Sequence, residues 1–151
     1  MGLDLWGFRS KKDLELVATD TPATILKKQI DLLAEKTDYI LYGKSRVISV
    51  KSENVEFKIA IIFDVIVPKL DNYTKTILIM YSNPEDDYPV AITYGSNYED
   101  DCDDFAPNYI CDDKESFVGA VAEILSSSFV MDTIKALYSK AYSLEQISFN
   151  A

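Results

Sequence analysis

Between Val55 and Val67 every odd-numbered residue is apolar: Val55, Phe57, Ile59, Ile61, Phe63, Val65 and Val67. A period of two belongs to the β-strand, in which successive side chains point to opposite faces. The even positions mix Glu56, Lys58 and Asp64 with Ala60, Ile62 and Ile66, so one face is expected to be fully buried and the other in part. Pro68 ends the run, because proline cannot continue a ladder. A strand of this kind needs partners, and the neighbouring sequence supplies them. Arg46 to Lys51, Thr76 to Tyr81, and the face Tyr88, Val90, Ile92 and Tyr94 read as three more strands. Asp71-Asn72 and Asn83-Pro84-Glu85-Asp86-Asp87 are turn sequences between them. Connections this short imply an antiparallel meander with the 55–67 segment at or next to its centre. Asp64 is expected at a sheet edge facing solvent; a half-buried carboxylate with a partner is the alternative.

Helical periodicity flanks this sheet. Asp20 or Thr21 can cap a helix and Pro22 suits its first position. From Ala23 to about Lys36, Ile25, Leu26, Ile30, Leu32 and Leu33 share a side opposite Lys27, Lys28, Asp31 and Glu35. Gly43 fits a turn after it. Near the other end, Asp112 with Glu115 reads as a capping box for an amphipathic helix with Phe117, Val118, Val121, Ile124 and Leu125 on its apolar side. Ser126-Ser127-Ser128 is expected to break the helical run before a last helix with the stripe Phe129, Val130, Ile134, Leu137 and Tyr138; Ser143 with Gln146 fits a cap for a final turn. Leu14 to Ala18 fits a short strand or a helical turn. The expected class is α+β: a largely antiparallel four-stranded sheet with one N-terminal helix and two C-terminal helices packed on one face. No linker divides residues 1–151, which read as one domain with a possible arm at 1–12 and an acidic loop at 95–113.

Charge is placed as unevenly as hydrophobicity is placed evenly. The stretch Asn83 to Glu115 holds eleven acids and a single base, Lys114, so the net charge of −10 lies there and the rest balances to zero. A neutral body with one negative lobe points to a positive partner. Glu85, Asp86, Asp87, Glu99, Asp100, Asp101, Asp103 and Asp104 are the candidate contact acids, and Tyr88, Tyr98, Phe105 and Tyr109 the candidate aromatic anchors. A solvated loop that serves solubility is the bland reading of the same residues. Cys102 and Cys111 both fall inside the lobe; they are expected to be ordinary reduced thiols, with a disulfide as the exported alternative. Weak adventitious Ca²⁺ binding suits the carboxylates of 99–104, but their spacing fails the EF-hand pattern.

Other chemistry is disfavoured. The chain has no histidine, which removes the commonest general base and the commonest metal ligand. Its five glycines are isolated, so no phosphate loop or dinucleotide fingerprint can be assembled. The acidity opposes nucleic-acid binding. The longest apolar run, Ile59 to Val67, is too short to cross a bilayer and contains Asp64. The N-terminus lacks the order of a secretory signal, and cytoplasmic residence is the expectation. We therefore expect a protein without catalytic residues, metal or cofactor: an acidic interaction module of the inhibitor or immunity type that binds a basic protein such as a nuclease or toxin. The alternatives are a small-ligand binder or enzyme with a Tyr-, Asp- and Cys-lined pocket between sheet and helices, or a structural or adaptor subunit.

Overall fold

A computed structural model describes residues 2–18, 20–95 and 105–150, the side chains of 16–18 and 148–150 excepted. Five strands form one antiparallel sheet in chain order: β1 (Tyr42–Ser49), β2 (Ile59–Val67), β3 (Tyr73–Asn83), β4 (Asp86–Tyr94) and β5 (Tyr109–Cys111). Four helices accompany them: α1 (Lys11–Ala18), α2 (Pro22–Lys36), α3 (Lys114–Leu125) and α4 (Ser128–Asn150), with a 3₁₀ turn at Pro68–Leu70. The meander, the α+β class and the position of β2 beside the central strand agree with the pattern of the sequence. The strand and helix counts do not. β5 is three residues long, too short to display a period, and exists because Tyr109 and Cys111 pair with Ile92 and Val90 of β4. α1 is the second N-terminal helix, formed over the segment left between strand and turn.

Boundaries shift for physical reasons as well. β2 begins at Ile59, not Val55, although the alternation runs on through 55–58. In that stretch the chain folds across the sheet, with Val50 N–H donating to Lys58 O at 2.9 Å. Phe57 is buried there without belonging to a ladder. Periodic burial mimics a strand. α3 is capped one residue later than expected: the Asp113 carboxylate accepts from Ser116 N–H at 2.8 Å, and the Ser116 hydroxyl receives Asp113 N–H in return. At the serine run the helix does break. The Ser126 and Ser127 hydroxyls donate to Ala122 O and Ile124 O, at 2.7 and 2.6 Å, and α4 leaves at 48° to α3. α4 then continues straight past Ser143, whose hydroxyl donates to Ser139 O instead of capping a turn.

The two faces of the sheet differ. On one, Phe63, Val65, Leu78, Met80, Val90 and Ile92 meet Leu26 and Ile30 of α2, Phe117 and Ile124 of α3, and Val130 of α4. Each fully buried aliphatic side chain there stabilises the fold by about 1.5–3 kcal/mol. Gly43 lies in β1, not in a turn, and the position needs glycine because a Cβ there would run into the carbonyl of Ile30. On the other face a smaller group, Phe57, Ala60, Ile62, Ile79, Tyr81 and Ala91, is roofed by Val50, Val55 and Phe105. Asp71 and Asn72 turn the chain between β2 and β3 with φ of 56° and 61°, a region those two residue types tolerate. Among the described residues no single helix is long and apolar enough to cross a membrane.

Candidate functional site

Several acids of the negative stretch come together at one end of the sheet. The β3–β4 turn carries Glu85, Asp86 and Asp87, all exposed. It sits beside the first turn of α2, and together they line a depression of about 200 Å³ whose wall includes Thr21, Pro22, Asn83, Asp86 and Asp87. α3 starts at the same end. Its Lys114 ammonium reaches Asp20, just before α2, at 2.8 Å, so the two helix starts are tied together. Asp112, Asp113 and Glu115 surround that lysine in the sequence. Positive helix N-termini favour such carboxylates, and this makes the accumulation of charge tolerable to the fold. Asp113 shows the effect directly: hydrogen bonds from the Ser116 backbone and side chain hold its carboxyl below the ordinary value.

Tyr88 lies where these acids converge. Its ring packs edge-on against Phe117, with centroids 6.4 Å apart, while its hydroxyl is buried without a hydrogen-bond partner. Burial, then the charges of Asp87, Asp113 and Asp20, push the phenol above its ordinary value. The chain therefore sets a neutral, unsatisfied hydroxyl among three carboxylates. The other anchors are engaged within the fold. Tyr109 stacks on Tyr94 at 6.5 Å, and burial followed by its hydrogen bond with Glu123 raises its phenol. Phe105 lies on the opposite face of the sheet, 4.8 Å from the ring of Tyr81. Tyr88, Tyr109 and Phe105 thus do not share one surface. Tyr98, Glu99, Asp100, Asp101, Asp103 and Asp104 lie outside the described residues, as does Cys102. β4 separates the Glu85–Asp87 turn from Gly95 by its full length, about 27 Å at the usual rise per residue.

Three more residues belong to this region: Asp20, which the sequence offers only as a helix cap, Val118, expected on the apolar side of its helix but exposed, and Ile110, which the sequence pattern did not single out. Asp20 joins the acids through its bridge to Lys114. Ile110 on β5 and Val118 on α3 are apolar and exposed, at 64% and 43%. A buried partner residue is predictable from a period, but an exposed apolar one is visible only once the faces are known. Cys111 is a free thiol, 2% exposed. Burial pushes it up; a hydrogen bond with Ser116 offsets this in part, and Asp112 and Asp113 add to the rise. It is a poor nucleophile in that state.

Asp64 corrects the expectation of a solvent-facing acid. It is 1% exposed, accepts from Arg46 Nε at 2.7 Å and from the Thr76 hydroxyl at 2.7 Å. A bulge in β3 makes this arrangement: Phe63 opposes Leu78 but Asp64 opposes Thr76. Strict alternation would put Thr76 and Leu78 on the same face, and the bulge sends them to opposite ones. Both carboxylate oxygens of Asp64 are thus engaged within the fold. Among the described residues no group of three or more acids and cysteines is gathered to hold a metal ion. The cavity between the sheet and helices has no Tyr, Asp or Cys in its lining. Comparison with protein-family models, with curated proteins and with solved structures finds no match to this chain.

Proposed function

We propose that the chain is a non-catalytic interaction module that docks its acidic end onto a basic protein, in the manner of an inhibitor or immunity protein acting on a nuclease or toxin. One observation supports this reading above the others. Glu85, Asp86, Asp87, Asp112 and Glu115 are exposed and enter none of the ion pairs among the described residues, and Lys114, which lies between the last two in the sequence, is held by Asp20. Unpaired charge of one sign raises the encounter rate with an opposite surface and fixes its register. Exposed Ile110 and Val118 supply apolar contact beside the charge. A buried thiol such as Cys111 suits a reducing compartment, and cytoplasmic residence is part of the proposal.

A carbodiimide, which joins carboxylates directly to lysines in contact, tests the proposal on the complex formed in extracts of the source cells. Cross-linked peptides should map to Glu85–Asp87 and Asp112–Glu115. Cross-links confined to the carboxylates of α1, α2 or α4 would reject the acidic end as the contact.

A further inference from the structure

Apart from the acidic end, the helix-covered side of the sheet contains an aliphatic cleft of about 370 Å³. Phe63, Val65 and Ile77 of the sheet line it together with Leu33 of α2 and Ile134 of α4. Volume and lining are those of a small-molecule site: mostly apolar walls with a few polar groups at the mouth. The polar groups are specific. Thr37 is occupied internally, its hydroxyl donating to Leu33 O and accepting from Leu41 N–H. Gln29 and Lys36, two turns apart on the same side of α2, make no side-chain hydrogen bond or ion pair among the described residues. Among the described residues Lys36 is the only charged one in the lining, and no acid lines this cleft.

We propose that the cleft binds an amphiphilic organic anion, its aliphatic body lying between α2 and α4 and its carboxylate meeting Lys36. Lys36 is exposed, so a neutral ligand leaves its ammonium in water and gains nothing from it, a carboxylate gains a charge-assisted contact there, and a cation would be repelled. Gln29 is placed to donate to a second oxygen farther along the same ligand. The inference is independent of the acidic end, since the two sites share no residue.

Calorimetric titration of the full chain with decanoate, decanol and decyltrimethylammonium, all below their micellar concentrations, decides the matter. Decanoate should bind at one saturable site and more tightly than the other two. Lys36→Gln should weaken decanoate by about threefold, the size of one exposed ion pair, and leave decanol unchanged. Ile134→Trp should abolish both by filling the cleft; Met131→Phe, at the exposed rim, gives a milder version if the first fails to fold. Equal binding of decanol and decanoate, or decanoate binding indifferent to Lys36→Gln, would overturn the anion assignment. No saturable binding of any of the three would leave the cleft to a partner's helix or to loose packing and overturn the proposal altogether.

Discussion

Asp64 in β2 is 1% exposed, with both carboxylate oxygens engaged by Arg46 and Thr76. Asp87 in β4, two strands away, is exposed and has no basic partner among the described residues. Elsewhere in the body Lys27 meets Asp31 and Lys11 meets Glu15, each one helical turn along, while Glu35, Lys36 and Glu56 enter none of the ion pairs among the described residues. At the acidic end five exposed acids, Glu85, Asp86, Asp87, Asp112 and Glu115, are unpaired and all of one sign. Isolated surface pairs contribute little to stability, typically about 0–1 kcal/mol, so the contrast is not one of folding strength. It shows which charges are absorbed by the fold and which remain to act outward.

The largest test of that contrast removes Asp64. Asp64→Ala strands Arg46 and the Thr76 hydroxyl beside a small void, and urea unfolding should show a loss of about 3 kcal/mol with unchanged slope. This is near the lower end for a broken buried pair, because the Arg46 side chain is 48% exposed and can turn to water. A loss below about 0.5 kcal/mol would mean that the pair is as dispensable as a surface one.

A smaller effect is expected from pH, with opposite signs on the two sides of neutrality. Asp113 has its carboxyl lowered in the fold from an ordinary 3.8, so its capping contribution is complete above that value and is lost as pH falls through the lowered one. Asp113→Asn, which keeps the cap acceptor, should remove this part of the acid sensitivity in a series of thermal melts. Cys111 and Tyr88 are raised from ordinary values of 9.0 and 10.0. The stability linked to them is present at neutral pH and lost as pH rises beyond those values. Cys111→Ala should flatten the alkaline limb, and an unaltered limb would remove the thiol as its cause.

The smallest change in stability is expected at the acidic end itself. Glu85→Gln, Asp86→Asn and Asp87→Asn together should move the unfolding free energy by no more than about 0.5 kcal/mol, since the three are exposed and unpaired. A large loss would make them part of the fold and erase the comparison.

How far the sequence foretold these regions depends on period. β2, β3 and β4, α2 and the break between α3 and α4 announce themselves through alternation, helical stripes and turn residues. What escaped is what period cannot carry. β5 has three residues, the bulge at Phe63/Asp64 inverts the faces on either side of Thr76, and Phe57 alternates under a loop without pairing. Asp64 looked exposed because its partners, 18 and 12 residues away, are set by register between strands. The charged stretch was legible as composition. Its distribution was not: Glu85–Asp87 and Asp112–Glu115 share an end with Asp20, while Phe105 packs on the opposite face of the sheet.

The central claim, that the acidic end meets a basic partner, is tested most directly by association kinetics with the cross-linked partner once it is identified. Wild type, the Glu85→Gln/Asp86→Asn/Asp87→Asn variant, and a second variant neutralised at Asp100, Asp101, Asp103 and Asp104 would be compared at rising ionic strength. The account predicts that the first variant associates about tenfold or more slowly at low salt, with a flatter salt dependence and little change in dissociation. The second variant shows whether the 95–113 stretch shares in the steering. Association that is equally fast and equally salt-dependent in all three proteins would contradict the account and reduce the acidic end to a solvated surface.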